Sequence, residues 1–186
     1  MGYVFDPQRL HEIARLGMGK PHAEMCQVVI DELARAYPGY IETKQDWFFN
    51  LTAGAVGMMT VLHGSFTEYL ILFGTSIGTE AFSGRYRLDI YDYMLTGEMW
   101  TYTEQRFSEK VISRPGDMAL LHKGQAKGYR FLEDTWVLEY GRGFVATSLP
   151  LGLGDATFSG QDIPTIYKTL RNYGRLVFRS LVHGKI

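Results

Sequence analysis

A carboxylate set in the middle of an aromatic and aliphatic strand leaves a chain few ways to fold, and this sequence carries one at Glu139, within Trp136-Val-Leu-Glu139-Tyr-Gly-Arg-Gly143. Alternation along an extended segment puts Thr135, Val137, Glu139 and Gly141 on one face and Trp136, Leu138 and Tyr140 on the other, so the acid has apolar neighbours either way. Moving an unpaired carboxylate out of water favours its protonated form. Three arrangements tolerate that: a second carboxyl sharing one proton, a cationic ligand, or an arginine partner. Arg142 lies three residues on, with the opposite parity, and an arginine-paired structural glutamate at a strand end is the plainer alternative.

A second acid is found by the same parity. In Ser83-Gly-Arg-Tyr-Arg-Leu-Asp89-Ile-Tyr-Asp92-Tyr93 the two aspartates are three apart and point to opposite faces. Asp89 shares its side with Arg85 and Arg87, a solvated and salt-bridged face. Asp92 shares its side with Tyr86, Leu88 and Ile90, which places it on the core-facing surface. If Asp92 and Glu139 meet inside the fold they must share a proton, and such a pair can both give and take one near neutral pH.

The strands around these acids belong to a mainly β chain with flanking helices. Asp6-Pro7 starts a helix ending near Gly17 or Gly19, and Pro21 opens a second that stops at Tyr37-Pro38-Gly39, so residues 1–40 form a helical N-terminal part. From Trp47 onward short strands alternate with glycine-containing turns, a sandwich or barrel signature. They are expected near 46–51, 56–63, 67–74, 85–94, 98–103, 110–112, 117–122, 126–131 and 135–140. Residues 141–160 read as a flexible, glycine- and leucine-rich passage. Asp162-Ile-Pro164 then opens an amphipathic helix with Ile163, Ile166, Tyr167, Leu170, Tyr173, Val177 and Leu181 down one side and Lys168, Arg171, Arg175, Arg179 and Lys185 around the rest. Such a helix either lies in a membrane interface or docks on the protein's own core.

The 186 residues suit one domain, 1–186, and 19 basic against 20 acidic side chains leave no broad footprint for nucleic acid. The single cysteine, Cys26, excludes an internal disulfide and fits a reducing compartment. No secretory signal precedes the first helix, and Leu51 to Thr75 is too interrupted by glycine, His63 and Glu68 to span a bilayer. A cytoplasmic or peripheral membrane location is expected. His63 and Glu68 lack a clustered His-x-His arrangement, so no metal site is expected. His122 reads as a rim residue, and Tyr69 as packing or as a hydroxyl that orients an acid.

The ordered set of motifs resembles the family of the fungal sterol C-8 isomerase and the non-opioid sigma receptor. It runs through Phe5-Asp-Pro, Leu10-His-Glu-Ile13, His63 to Tyr69, Leu72-Phe-Gly-Thr75, Ser83-Gly-Arg-Tyr86, Pro115-Gly-Asp117, Trp136 to Gly143 and Thr169-Leu-Arg-Asn-Tyr173. The resemblance implies a cupin-like β-barrel over 46–141, closed by C-terminal helices within 142–186 that rest on a membrane, in a homotrimer. It implies Asp92 and Glu139 as the functional acids, Tyr69 beside them, and Tyr86, Phe73, Trp136 and His122 as further contacts to a sterol, a terpenoid or an amphipathic amine. No cofactor is implied. Two departures stand out: Ala55 falls where the receptor has tryptophan, which implies a reshaped pocket, and the family's apolar N-terminal helix is missing, which leaves residues 162–186 as the anchor.

Overall fold

The computed structural model describes residues 2–184. Asp6 caps the first helix, α1 (Pro7–Leu16), by accepting the Arg9 N–H on its carboxylate at 2.8 Å, and Pro7 occupies the first turn, where its missing N–H costs nothing. The second helix, α2 (His22–Ala36), follows Pro21. Leu10 and Ile13 of α1 and Met25, Val29 and Leu33 of α2 bury their stripes in one core with residues of the sheet described next.

Among the described residues ten strands follow: β1 (Phe48–Thr52), β2 (Ala55–Gly64), β3 (Glu68–Thr75), β4 (Thr79–Phe82), β5 (Leu88–Thr96), β6 (Met99–Thr103), β7 (Arg106–Ser113), β8 (Met118–Leu121), β9 (Lys127–Phe131) and β10 (Thr135–Gly143). They form an antiparallel sheet ordered β1-β2-β3-β10-β5-β8 and a smaller one ordered β4-β9-β6-β7. The larger sheet is covered on both faces. Leu70, Leu72, Tyr93, Leu138 and Tyr140 pack against α1 and α2. Met59, Val61, Phe73, Met94 and Val137 face Met99 and Phe131 of the smaller sheet, with the Phe73 and Phe131 ring centroids 5.7 Å apart.

The expected barrel is therefore an open sandwich of two sheets. Strand lengths and turn spacings are the same for either architecture; closure depends on pairing between edge strands, and β1 and β8 end the larger sheet. Turn chemistry follows the sequence: at Arg114-Pro115-Gly116-Asp117 the Asp117 N–H donates to the Arg114 carbonyl at 2.9 Å while Gly116 sits at φ 91°, as a type II turn demands.

The passage after β10 is not a loop. A 3-10 turn (Val145–Thr147) leads into α3 (Leu149–Phe158), which carries Pro150 in its first turn and forms despite two internal glycines. Packing overrides propensity here: α3 lies against β1 and the last helix, and the Asp155 carboxylate accepts the Ala53 N–H. That last helix, α4 (Ile163–Val182), is capped by Asp162, which accepts the Thr165 N–H at 3.1 Å. Its apolar residues do not share one side. Leu176 and Val177 are buried, whereas Ile163, Tyr167, Leu170, Phe178 and Leu181 are exposed, so the helix docks on the sandwich and presents a second stripe outward. Lys185, expected among its basic residues, lies outside the described residues. Among those described, no helix is long and apolar enough to cross a membrane.

Candidate active site

The central strands β3, β10 and β5 place the two acids face to face. In the β10–β5 ladder Glu139 is the register partner of Asp92, and on the other side Gly141 is the partner of Tyr69. Side chains directly opposite on one face of an antiparallel pair have Cβ atoms about 4.5 to 5.5 Å apart, so the carboxyl groups are neighbours by construction. Gly141 is needed for the third member. A Cβ there would collide with the Tyr69 ring, which lies across the glycine and carries its hydroxyl to Glu139, donating to Oε1 at 2.6 Å.

These groups line a cavity of about 200 Å³ between the sheets, walled by Met59, Val61, Ile71, Phe73, Ile90, Met99, Leu121 and Phe131. Its roof is helical. Leu149, Leu153 and Ala156 of α3 and Ile166, Thr169 and Tyr173 of α4 close it, and Leu51 of β1 completes the rim. Glu139 lines this space rather than packing solidly, so the surface it leaves uncovered opens onto the cavity. Burial, reinforced by the neighbouring Asp92 carboxylate, raises Glu139 from its ordinary value to about 7, while the Tyr69 hydrogen bond and the charge of Lys127 hold it down. Burial likewise raises Tyr69 well above its ordinary value, with the Glu139 charge adding to the effect, so its hydroxyl keeps its proton.

Lys127 is the site residue that sequence reasoning missed. Its ammonium donates to Asp92 Oδ2 at 2.5 Å, and the two side chains retain only 10% and 5% of their exposure. The signal was present: Lys127, Tyr129 and Phe131 alternate with Gly128 and Arg130, so the lysine shares the inward face of β9 with two aromatic rings. The proton-sharing pair expected of Asp92 and Glu139 is thus modified. Asp92 has a cation of its own, and Glu139 has a phenol.

Of the other expected contacts, Tyr86 and Phe73 line the cavity. Trp136 and His122 do not. Trp136 has the parity of Leu138 and Tyr140 and packs on the helical side, its ring centroid 4.1 Å from His22 and 5.6 Å from Trp47. His122 follows β8 on the surface, with Nδ1 3.7 Å from Asp89. Arg142 also turns to Asp89, at 3.8 Å, so the arginine partner considered for Glu139 serves the outer acid instead. Ala55 is buried in the core between the sheets, outside the cavity lining. Glu68 is structural: it accepts the Val4 N–H at 2.9 Å and the Tyr140 hydroxyl at 2.6 Å, tying the N-terminal segment to β3. Among the described residues, no group of three or more His, Cys, Asp or Glu side chains is placed to hold a metal ion.

A two-sheet sandwich enclosing an apolar cavity, with facing acids on its floor and helices as its roof, defines a class of small-molecule pocket able to move a proton in a place poor in water. The chain belongs to the family described as ERG2 and Sigma1 receptor like protein, whose pattern matches residues 1–185. It is 38% identical to the C-8 sterol isomerase of Pyricularia oryzae over 98% of this chain and 85% of that one. It is 36% identical to the C-8 sterol isomerase ERG2 of Gibberella zeae over 99% and 79%. With the sigma non-opioid intracellular receptor 1 of Gallus gallus it shares 39% identity over 92% and 78%. Among solved structures, an RmlC-like cupin from Shewanella frigidimarina matches 54% of this chain and 85% of its own at 11% identity and a TM-score of 0.45.

Proposed function

We propose that this protein is an acid–base isomerase that moves a ring double bond, of the delta-8 to delta-7 type, in a sterol-like lipid. The observation that carries this reading is the register pairing of Glu139 with Asp92 on the floor of an apolar cavity, with Glu139 raised to about 7. A carboxylic acid poised near neutrality can add its proton to an alkene carbon, leaving a tertiary carbocation. The carboxylates and the faces of Tyr69, Tyr86 and Tyr129 stabilise that cation. Loss of a proton from the adjacent carbon to a carboxylate regenerates the acid and leaves the double bond displaced. The cavity excludes the water that would otherwise trap the cation. At about 200 Å³ it is smaller than the roughly 300 to 1,000 Å³ of most ligand pockets, so a polycycle is admitted by movement of the α3–α4 roof.

Incubation with a delta-8 sterol in deuterated water, read by mass spectrometry, tests the reading. The product should carry one deuterium; an unchanged sterol, or an isomer without label, refutes it. The likeness to the Gallus gallus receptor supports a second reading, a binder of amphipathic amines without turnover. Asp92→Asn and Glu139→Gln separate the two, since an isomerase loses turnover with either and an amine binder depends chiefly on the charge of Glu139.

We also infer a resting place on a membrane surface. Exposed Ile163, Tyr167, Leu170, Phe178 and Leu181 form a stripe on α4 beside Arg171 and Arg175, the arrangement of an interfacial helix. Flotation with anionic vesicles should carry the protein upward, and Leu170→Ser with Phe178→Ser should release it. The family resemblance adds a homotrimer, for which exposed Phe82, Tyr102 and Phe107 on the smaller sheet offer apolar surface, and sedimentation tests it.

A further inference from the structure

Three charged side chains line the cavity among the described residues: Asp92, Lys127 and Glu139. We propose that Lys127 is a positioning residue that engages Asp92 in a buried ion pair, leaves the exchangeable proton on Glu139, and so makes capture of an amine by this site an exchange of one ammonium for one proton. The naming of Glu139 as proton donor rests on the isomerase reading; the exchange does not.

The argument is one of charge and placement. The Lys127 ammonium is buried and reaches Asp92 Oδ2 at 2.5 Å, with Met99 Sδ as its other neighbour at 3.9 Å. The pair gives Asp92 a counter-charge of its own, which Glu139 lacks, and removing one partner of such a buried pair is strongly destabilising. The groups facing Glu139 are Asp92 from β5, Lys127 and Tyr129 from β9, Tyr69 from β3 and Tyr86 ahead of β5. Burial keeps each of the three phenols protonated. Glu139, which burial and Asp92 raise to about 7, is then the group whose charge can change near neutrality.

With its proton in place, the cavity is electrically neutral and suits an uncharged lipid. After Glu139 has given that proton away the floor carries one net negative charge, which matches a carbocation. An ammonium ligand needs that second state, so it must displace the proton into solvent. Without Lys127, two facing carboxyls would share one proton and the floor would already be negative at neutral pH, ready for an ammonium with nothing to expel.

The test is calorimetric titration of the full chain with a long-chain tertiary amine, which stays protonated from pH 5 to 8, in two buffers of unlike ionisation enthalpy. Affinity for the unaltered protein should rise about tenfold per pH unit up to about pH 7 and then level, with close to one proton released per amine at pH 5.5. Lys127→Met should bind the amine at least tenfold tighter at pH 5.5 and release no proton, whereas Lys127→Arg should keep the original linkage. If Lys127→Met does not fold, the Asp92→Asn, Lys127→Met pair removes both charges together and should again release a proton. Affinity of the unaltered protein that is flat with pH, or proton release that survives in Lys127→Met, overturns the proposal. Turnover of sterol with flat amine binding would sink this inference alone. Intact linkage with no turnover on any sterol would sink the isomerase reading alone.

Discussion

Replacing Glu139 by glutamine tests how the cavity floor is built, because the amide copies the protonated acid and can still accept the Tyr69 hydroxyl now held at 2.6 Å. In the unfolded chain Glu139 titrates at its ordinary value of 4.5, and in the folded protein burial and Asp92 move it to about 7. The folded state therefore holds this proton more tightly. Its contribution to stability is fully present below pH 4.5 and is lost as pH rises through about 7. At about 1.36 kcal/mol per pH unit the difference is about 3.4 kcal/mol, and about 2 kcal/mol remains once the water reaching the carboxyl through the cavity is allowed for. Urea unfolding from pH 4.5 to 8 reads it directly. With a slope of about 2 kcal/mol per molar, the midpoint of the unaltered protein should fall by about 1 M relative to that of Glu139→Gln over this range. Two curves that run parallel across the whole range would show that Glu139 is not held as an acid, and the isomerase reading would lose its proton source.

Tyr69→Phe removes a donor that favours the ionised form of Glu139; the acid should titrate about one pH unit higher, shifting the pH profile of kcat/KM upward by that amount. Gly154→Ala puts a methyl group where nothing lies within 4 Å, so it should stabilise α3 by up to about 1 kcal/mol in thermal unfolding, and it should lower kcat/KM because the roof yields less readily. Glu68→Gln sets an amide among the donors Val4 N–H, Phe5 N–H and the Tyr140 hydroxyl, and should cost about 2 kcal/mol in urea unfolding while turnover per folded molecule is kept.

Strand parity made much of the floor legible. The period of two assigns Glu139 and Asp92 inward and Asp89 outward, and the ladder obeys it. The same rule excludes Trp136, whose even number puts it on the helical face; only the family resemblance placed it at the ligand. Lys127 escaped notice because a lysine in a short strand is usually solvated, and only its alternation with Gly128 and Arg130 marks it as turned inward. The roof was the least legible part. Leu149 to Phe158 contains Gly152 and Gly154, which argue locally for a loop, and its helix exists by resting on β1 and α4. β4 was missed because four residues in a half-exposed edge strand leave almost no periodic signal. Whether the strands close into a barrel or stop as a sandwich is decided at the edges, β1 and β8, by contacts far apart in sequence.

On the isomerase reading, chemistry and selectivity fall to different parts of this molecule. Tyr69, Glu139 and Asp92 sit on three adjacent central strands whose cross-bonding fixes the spacing of their backbones. Of the helices overhead, α4 is pinned by bonds such as those from Tyr173 to the Ser65 carbonyl and from Ser180 to the Gly64 carbonyl, whereas α3 is tied to β1 and β2 through the Asp155 carboxylate at Ala53. Rewriting α3 is then the easiest route to new ligands, one that leaves Tyr69, Glu139 and Asp92 beneath it in place.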